Sequence, residues 1–305
     1  MRTASRSLLV TGLLMFMLAA CGTREATVQP APPQPTTPPP PTQAATVTQA
    51  PSPASTVSPS TPTVVPVPTT DGSVLVEEWF VGAYTVRVFQ PAPGMGMYNR
   101  AIISGPGQPE IQVESATAIG SLPVEDVTGD RFPDLWLETF AGGSRCCWGT
   151  IVYSLGPTPV KVLDILQLPD YYGTGSGVFE DLDGDGIYEF VTKDPLLGIP
   201  CTAPSVKAVL RYAPGQGYVG AGPRFAGAYA DDIAAHTRRA EAEIELSRDG
   251  YKCGVYEVIV DYLYAGQPDR AWEELRRLYL GSDLEQFQMQ LEQAVLGGRF
   301  FVAGE

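Results

Sequence analysis

The sequence predicts an α+β fold, in which an antiparallel β module is followed by a C-terminal helical cap. Across residues 71–227, strand-like segments with an apolar period of two are separated by turns rich in glycine and proline. An acidic segment of nine residues occurs twice within that region. From residue 228 to 305 the apolar residues instead recur with a period of 3.6, which is typical of amphipathic helices.

Residues 1–20 have the features of a secretory signal peptide. Two arginines precede an apolar run over residues 8–20, which is too short to span a membrane comfortably. Residues 18–21 (LAAC) resemble the lipobox of bacterial lipoproteins. The resemblance implies cleavage before Cys21, lipidation of its sulfur, and an extracytoplasmic protein anchored to a bacterial membrane, inner or outer. The alternative is an ordinary cleaved signal followed by a chance cysteine.

Residues 21–70 are predicted to form a disordered stalk that begins at the lipidated Cys21. Between Ala26 and Thr70 there is no charged or aromatic residue, and 14 positions are proline. Such a segment has too little apolar surface to offset the entropy cost of ordering, and its prolines favour an extended chain. The stalk would hold the following domain away from the membrane. The alternative is a proline-rich ligand for a groove-binding partner.

Composition narrows the classes of partner for residues 71–305. The chain carries a formal net charge of −14, so electrostatic repulsion excludes nucleic acid and anionic lipid headgroups as partners. A single histidine and the lack of a CxxC motif argue against a structural zinc site. An even number of cysteines after Cys21 favours disulfides in an exported chain. These four cysteines are Cys146, Cys147, Cys201 and Cys253.

The acidic segment Asp181–Glu189 (DLDGDGIYE) has a weaker relative, Asp126–Asp134 (DVTGDRFPD), 55 residues upstream. Both segments carry acidic residues at positions 1, 5 and 9. Cys146 and Cys201 each follow the first aspartate of their own copy by 20 residues. Strand-like residues come next in both copies. The agreement identifies an internal repeat.

The spacing within these segments favours a bound calcium ion. A nine-residue loop that coils around a cation turns side chains 1, 3 and 5 inward, while a carbonyl at position 7 and a carboxylate at position 9 complete the ligands. Calcium takes six to eight oxygen ligands in flexible geometry. In the main loop the candidate ligands are Asp181, Asp183, Asp185, the carbonyl of Ile187, and Glu189. In the weaker loop they are Asp126, Thr128, Asp130, the carbonyl of Phe132, and Asp134.

The two loops differ at positions that affect metal binding. Thr128 stands where the main loop has an acid, and Arg131 stands where the main loop has Gly186. Position 6 requires a positive φ, which is costly for arginine. The weaker loop is therefore the more doubtful metal site. For both loops the alternative is a solvated acidic turn without a metal.

The main loop resembles the calcium loop of FG-GAP or VCBS repeats, which build the blades of integrin-type β-propellers. The resemblance covers roughly residues 124–218 and implies a calcium ion held at the corner of a blade. A closed propeller needs about four or more blades, whereas two acidic loops are clear in this chain. The expected architecture is therefore a partial propeller-like sheet or a small sandwich.

Side-by-side blades would place the loops that carry Cys146 and Cys201 next to each other. Cys201 is therefore predicted to pair with Cys146 or Cys147, and Cys253 with the remaining one. A bridge between the vicinal cysteines would need a strained ring. A redox role is the other alternative.

The helical region, residues 228–305, is predicted to contain four helices with breaks near Gly250 and Gly266 and a new start at Pro268. Residues 262–279 resemble the inner turn of a tetratricopeptide repeat. This resemblance covers one unit, whereas such arrays need about three to be stable alone. The helices are therefore expected to cap the sheet, and a peptide-binding groove is the alternative.

No catalytic constellation is recognisable in the sequence. His236, the single histidine, falls on one face of a predicted helix, and the GxGxxG match at residues 215–220 lies in a hairpin turn. The sequence therefore predicts a non-catalytic, lipid-anchored protein that binds or scaffolds at the cell envelope. Its expected partners are the membrane, through the lipid, and an unidentified envelope protein or glycan. The alternatives are a calcium-dependent enzyme acting on glycans and a tetratricopeptide-like adaptor for another envelope protein.

Overall fold

The part of the chain that the structure describes folds into three antiparallel sheets followed by helices, which confirms the predicted order of a β module and a helical region. The structure, a computed structural model, describes residues 72–92, 94, 99–140, 148–165, 176–196, 205–246 and 250–304. The predicted signal peptide, the stalk and the cysteines Cys21, Cys146, Cys147 and Cys201 lie outside these residues. All described residues belong to one compact unit, Ser58–Glu305.

Each sheet is a four-stranded meander, in which consecutive strands are hydrogen-bonded neighbours. The first contains β1 (Val74–Val81), β2 (Tyr84–Gln90), β3 (Arg100–Ser104) and β4 (Ile111–Glu114). The second contains β5 (Ala116–Ile119), β6 (Asp134–Phe140), β7 (Trp148–Ser154) and β8 (Val160–Ile165). The third contains β9 (Val178–Glu180), β10 (Glu189–Pro195), β11 (Ser205–Ala213) and β12 (Gly217–Gly220). Three antiparallel sheets followed by helices confirm the predicted α+β class.

The second sheet is buried on both faces, because its strands pack between the other two sheets. Leu135 and Leu137 on β6 belong to a core shared with the first sheet. Trp136, between them, points the other way and meets Phe179 and Phe190 of the third sheet edge-on, at ring-centroid distances of 5.6 and 6.3 Å. Successive side chains of a strand point to opposite faces, and each face of β6 packs against another sheet. This explains why β6 carries three consecutive apolar residues.

Four α-helices follow the third sheet: α1 (Ala230–Glu245), α2 (Tyr251–Tyr264), α3 (Pro268–Leu278) and α4 (Leu284–Leu296). A 3-10 helix, Gly222–Tyr229, connects β12 to α1, so the first α-helix begins slightly later than the predicted residue 228. The predicted break between α2 and α3 is confirmed. Gly266 adopts a φ of +70°, and Pro268 occupies the first turn of α3, where it needs no backbone hydrogen bond.

Helix α2 fastens the helical region to the third sheet. It packs against β11 and buries most of its apolar residues. At its end the Tyr264 hydroxyl donates a hydrogen bond of 2.8 Å to Asp194 on β10, and Asp194 also accepts the Phe300 backbone N–H at 2.7 Å. Burial raises the pKa of the Asp194 carboxyl. This packing supports a cap on the sheet. Among the helices that the structure describes, none has the length and apolar character to cross a membrane.

Candidate metal site in the repeated acidic loops

The two acidic loops occupy equivalent places in adjacent sheets. The loop 126–134 leads into β6 of the second sheet, and the loop 181–189 leads into β10 of the third. Asp134 and Glu189, at position 9 of each loop, are the first residues of these strands. The sequence repeat is therefore also a structural repeat.

The loops share one backbone hydrogen-bonding pattern. Asp181 accepts the N–H groups of Gly184, Asp185 and Gly186 at 2.8–3.1 Å. The corresponding Asp126 accepts those of Gly129 and Arg131, both at 2.7 Å. The carboxylates at position 5 also behave alike, because each accepts the backbone N–H two residues later. Asp185 accepts from Ile187 and Asp130 accepts from Phe132, both at 2.9 Å. The first and fifth carboxylates therefore shape the turn, whether or not a cation is present.

Position 6 adopts a positive φ in both loops, +83° at Gly186 and +75° at Arg131. Arg131 therefore adopts the left-handed backbone conformation that is energetically unfavourable for a residue other than glycine. The hydrogen bond from the Arg131 N–H to the Asp126 carboxylate supports this conformation. The substitution of glycine by arginine has not changed the shape of the loop.

The main loop gathers three carboxylates that can hold a metal ion. Oxygens of Asp181, Asp183 and Glu189 lie within 4.8 Å of one another, and the described residues contain no other such group of three acidic, histidine or cysteine side chains. Glu189 is fully buried and accepts the Leu182 N–H at 3.0 Å. Burial raises the pKa of the Glu189 carboxyl. Asp185 lies in the loop but does not belong to this triad.

An arginine on β11 binds the carboxylates of the main loop. Arg211 donates to Glu189 at 2.7 Å and to Asp183 at 3.2 Å, and its second terminal nitrogen contacts Asp185. Arg224 adds a contact of 2.8 Å to Asp183. The hydrogen bond from Arg211 lowers the pKa of the Asp185 carboxyl. The carboxylates of the main loop are therefore paired with two arginines from neighbouring elements.

Sequence reasoning did not find either arginine, although the register of the hairpin contained a signal for one. Leu210 on β11 pairs with Phe190 on β10, which places Arg211 across from Glu189. Alignment of the predicted hairpin by its apolar residues would have found this pair. Arg224 comes from the 3-10 helix, and its approach to the loop depends on how that helix packs.

The weaker loop has a serine where the main loop has this arginine. Ser154 on β7 pairs with Asp134 in the strand register, and its hydroxyl donates to Asp130 at 2.6 Å.

Asp134 accepts the Val127 and Thr128 N–H groups through one oxygen, at 2.8 and 3.0 Å. Its other oxygen is buried and has no hydrogen-bond partner in the described part of the chain. Burial raises the Asp134 pKa to about 7.

Thr128, the neutral substitute at position 3, donates its hydroxyl proton to Asp126 at 3.2 Å. The weaker loop thus combines one unpaired buried oxygen with neutral donors, whereas the main loop combines four acids with two arginines.

Contacts between the two loops join the second and third sheets. The Tyr188 N–H of the main loop donates to the Val127 carbonyl of the weaker loop at 2.9 Å. The Tyr218 hydroxyl on β12 lies near both loops, 3.0 Å from the Tyr188 carbonyl and 3.4 Å from the Val127 carbonyl. The Ile187 side chain lies so close to Gly129 that a Cβ there would meet it at 2.9 Å. The two acidic turns are therefore one connected feature at the edge of adjacent sheets.

Among the predicted disulfide cysteines, Cys253 alone lies in the described part of the chain, within α2. It is disulfide-bonded. The predicted pairing of Cys201, Cys146 and Cys147 falls on residues outside the description.

Comparisons with known protein families, curated proteins and solved structures gave no match to this chain. Its function is therefore inferred from the geometry of its own residues.

Proposed function

We propose that the protein is a non-catalytic binding or scaffolding protein of the bacterial cell envelope, anchored by a lipid on Cys21. The observation that carries this proposal is the joining of two repeated acidic loops at the edge of neighbouring sheets. The carboxylates of both loops accept backbone N–H groups of their own loop, and those of the main loop also bind Arg211 on β11. That arrangement suits the bracing of a β module, and the predicted stalk would present this module away from the membrane.

We further propose calcium as the cation of the main loop. The donors are hard carboxylate oxygens, the ligand type that calcium prefers, and Asp181, Asp183 and Glu189 bring theirs close together. Arg211 contacts two of these three carboxylates, those of Asp183 and Glu189. Calcium would therefore compete with the Arg211 guanidinium for them. Calcium binding should therefore be moderate in strength, as in many extracellular modules.

Calcium should raise the melting midpoint of the protein. An ion at about ten times its dissociation constant stabilises the folded state by about 1.4 kcal/mol, which corresponds to a rise of roughly 3–6 °C in the melting midpoint. Asp181→Asn should abolish the rise, whereas Asp269→Asn, an exposed change in α3, should leave it intact. Scanning calorimetry in calcium and in chelator measures both effects. An unchanged wild-type midpoint, or a full rise in Asp181→Asn, would contradict calcium binding at the main loop.

The lipid anchor is tested by moving the protein off the membrane. Cys21→Ser removes the sulfur that would carry the lipid, so the variant should leave the membrane pellet and lose incorporation of labelled palmitate. Gly22→Ser, which keeps Cys21, is the matched control and should stay in the pellet. Fractionation followed by immunoblotting gives the result. Equal membrane association of wild type and Cys21→Ser would refute the anchor while leaving the calcium proposal standing.

A further inference from the structure

A cleft between the third sheet and the helical cap lies apart from the acidic loops. Its cavity is about 570 Å³, within the range typical of small-molecule sites. Thr192, Lys193 and Lys207 line it from β10 and β11, and His236, Arg239 and Asp261 line it from α1 and α2. None of the candidate metal ligands takes part in this lining.

The single histidine of the chain is held in this cleft by a buried carboxylate. His236 Nδ1 lies 2.7 Å from Asp261 Oδ2, and Asp261 is only 2 % exposed. A carboxylate on Nδ1 favours the tautomer that donates from Nδ1, which leaves Nε2 as a hydrogen-bond acceptor. The His236 side chain remains 28 % exposed. Its ring is thus oriented by the protein and available to a ligand hydroxyl.

Two lysines face each other across the strands that form the floor of the cleft. Lys193 on β10 pairs directly with Lys207 on β11 in the strand register. Like charges in directly opposed positions of a sheet are unfavourable. The Lys207 ammonium forms an ion pair with Asp232, with 2.9 Å between Nζ and Oδ2. Lys193 makes no ion pair within the described ranges. Among the described residues, Lys193 is therefore the lysine of the cleft that has no ion-pair partner.

The other charged side chains of the cleft have hydrogen-bonding partners there, Lys207 with Asp232 and Asp261 with His236. Arg239 contacts Glu257, and Lys207 also donates to the Ala228 carbonyl at 2.8 Å. These pairs leave Lys193 to attract an anion and His236 to accept a hydrogen bond. A ligand that satisfies both groups carries an anionic group and a hydroxyl group.

We infer that this cleft binds a small hydroxylated carboxylate, the chemistry of an acidic sugar, with Lys193 contacting the carboxylate and His236 Nε2 accepting from a hydroxyl. The inference gives the proposed binding role a site and a ligand class. It does not depend on the lipid anchor or on calcium, because neither Cys21 nor the acidic loops contribute to the cleft. A failure here would leave both of those proposals unchanged.

The single histidine makes the test direct, because the imidazole Cε1 proton gives one NMR signal that needs no assignment. Sodium glucuronate, added at constant pH near neutrality, should shift this signal along a saturable curve. Glucose, which lacks the carboxylate, and inorganic phosphate, which lacks the sugar hydroxyls, should each cause less than a tenth of that shift at equal concentration. No saturable shift with glucuronate, or an equal shift with phosphate, would overturn the inference.

Variants then separate the two contacts. Lys193→Gln should weaken glucuronate binding roughly tenfold or more, the loss typical of a charge-assisted hydrogen bond. His236→Gln should weaken it by a similar factor in calorimetric titration. Lys161→Gln, which removes the same charge outside the cleft, is the matched control and should bind as the wild type does. Circular dichroism confirms that each variant is folded, and unchanged affinity in folded Lys193→Gln would contradict the proposed carboxylate contact.

Discussion

Replacing Arg211 with methionine should lower the free energy of unfolding by about 3–5 kcal/mol in metal-free buffer, the usual cost of breaking a buried ion pair from one side. Glu189 is fully buried, and Arg211 is only 15 % exposed. Methionine keeps much of the aliphatic length but removes the guanidinium, so Glu189 would remain in the interior without its cation. Urea unfolding followed by tryptophan fluorescence measures the loss.

Calcium should restore part of the stability of Arg211→Met, because the ion no longer competes with the guanidinium. The increase in the free energy of unfolding on adding calcium should therefore be larger for this variant than for the wild type. Arg87→Met is the matched control, since it breaks an ion pair with Glu78 that is partly exposed on both sides. It should cost less than about 1 kcal/mol. Equal losses in the two variants would show that Arg211 is not an essential partner of Glu189.

Replacing Phe190 with alanine should cost about 3–5 kcal/mol, as is usual for a large aromatic side chain in a core. The Phe190 ring is fully buried and lies 4.9 Å from the Phe179 ring and 6.3 Å from Trp136 between ring centroids. Its removal leaves a cavity where the second and third sheets meet. Urea unfolding curves with a common slope measure the change.

Phe80→Ala is the matched control for this prediction. The Phe80 side chain on β1 is 73 % exposed, so its removal should change the free energy of unfolding by less than about 0.5 kcal/mol. A loss below about 1 kcal/mol in Phe190→Ala would mean that the aromatic cluster does not hold the two sheets together.

The sequence anticipated the turns and the repeat because both depend on local chemistry. The hairpin turn predicted at residues 215–220 lies between β11 and β12, where Gly215 and Gly217 both adopt a φ of +78°. The acidic loops were found by their spacing, and the structure gives them matching hydrogen bonds. The first sheet was not anticipated as a separate sheet, since it lacks an acidic loop that marks its place in the repeat.

The sequence also located His236 on a helix but missed its partner. The imidazole meets Asp261, which lies on the next helix and 25 residues along the chain. No local pattern links the two residues, because their contact depends on the packing of α1 against α2. The same packing, together with the third sheet, creates the cleft that we propose as a binding site.

The sequence by itself determined the α+β class, with a β module followed by helices, and the carboxylates of the repeated loops, because apolar periodicity and turn residues act over a few positions. The tertiary structure decided which charges meet. It placed Arg211 and Arg224 on the main loop and Ser154 on the weaker one, and left one Asp134 oxygen unpaired within the described residues. These contacts join residues far apart in the chain, so only the stacking of sheets and helices could establish them.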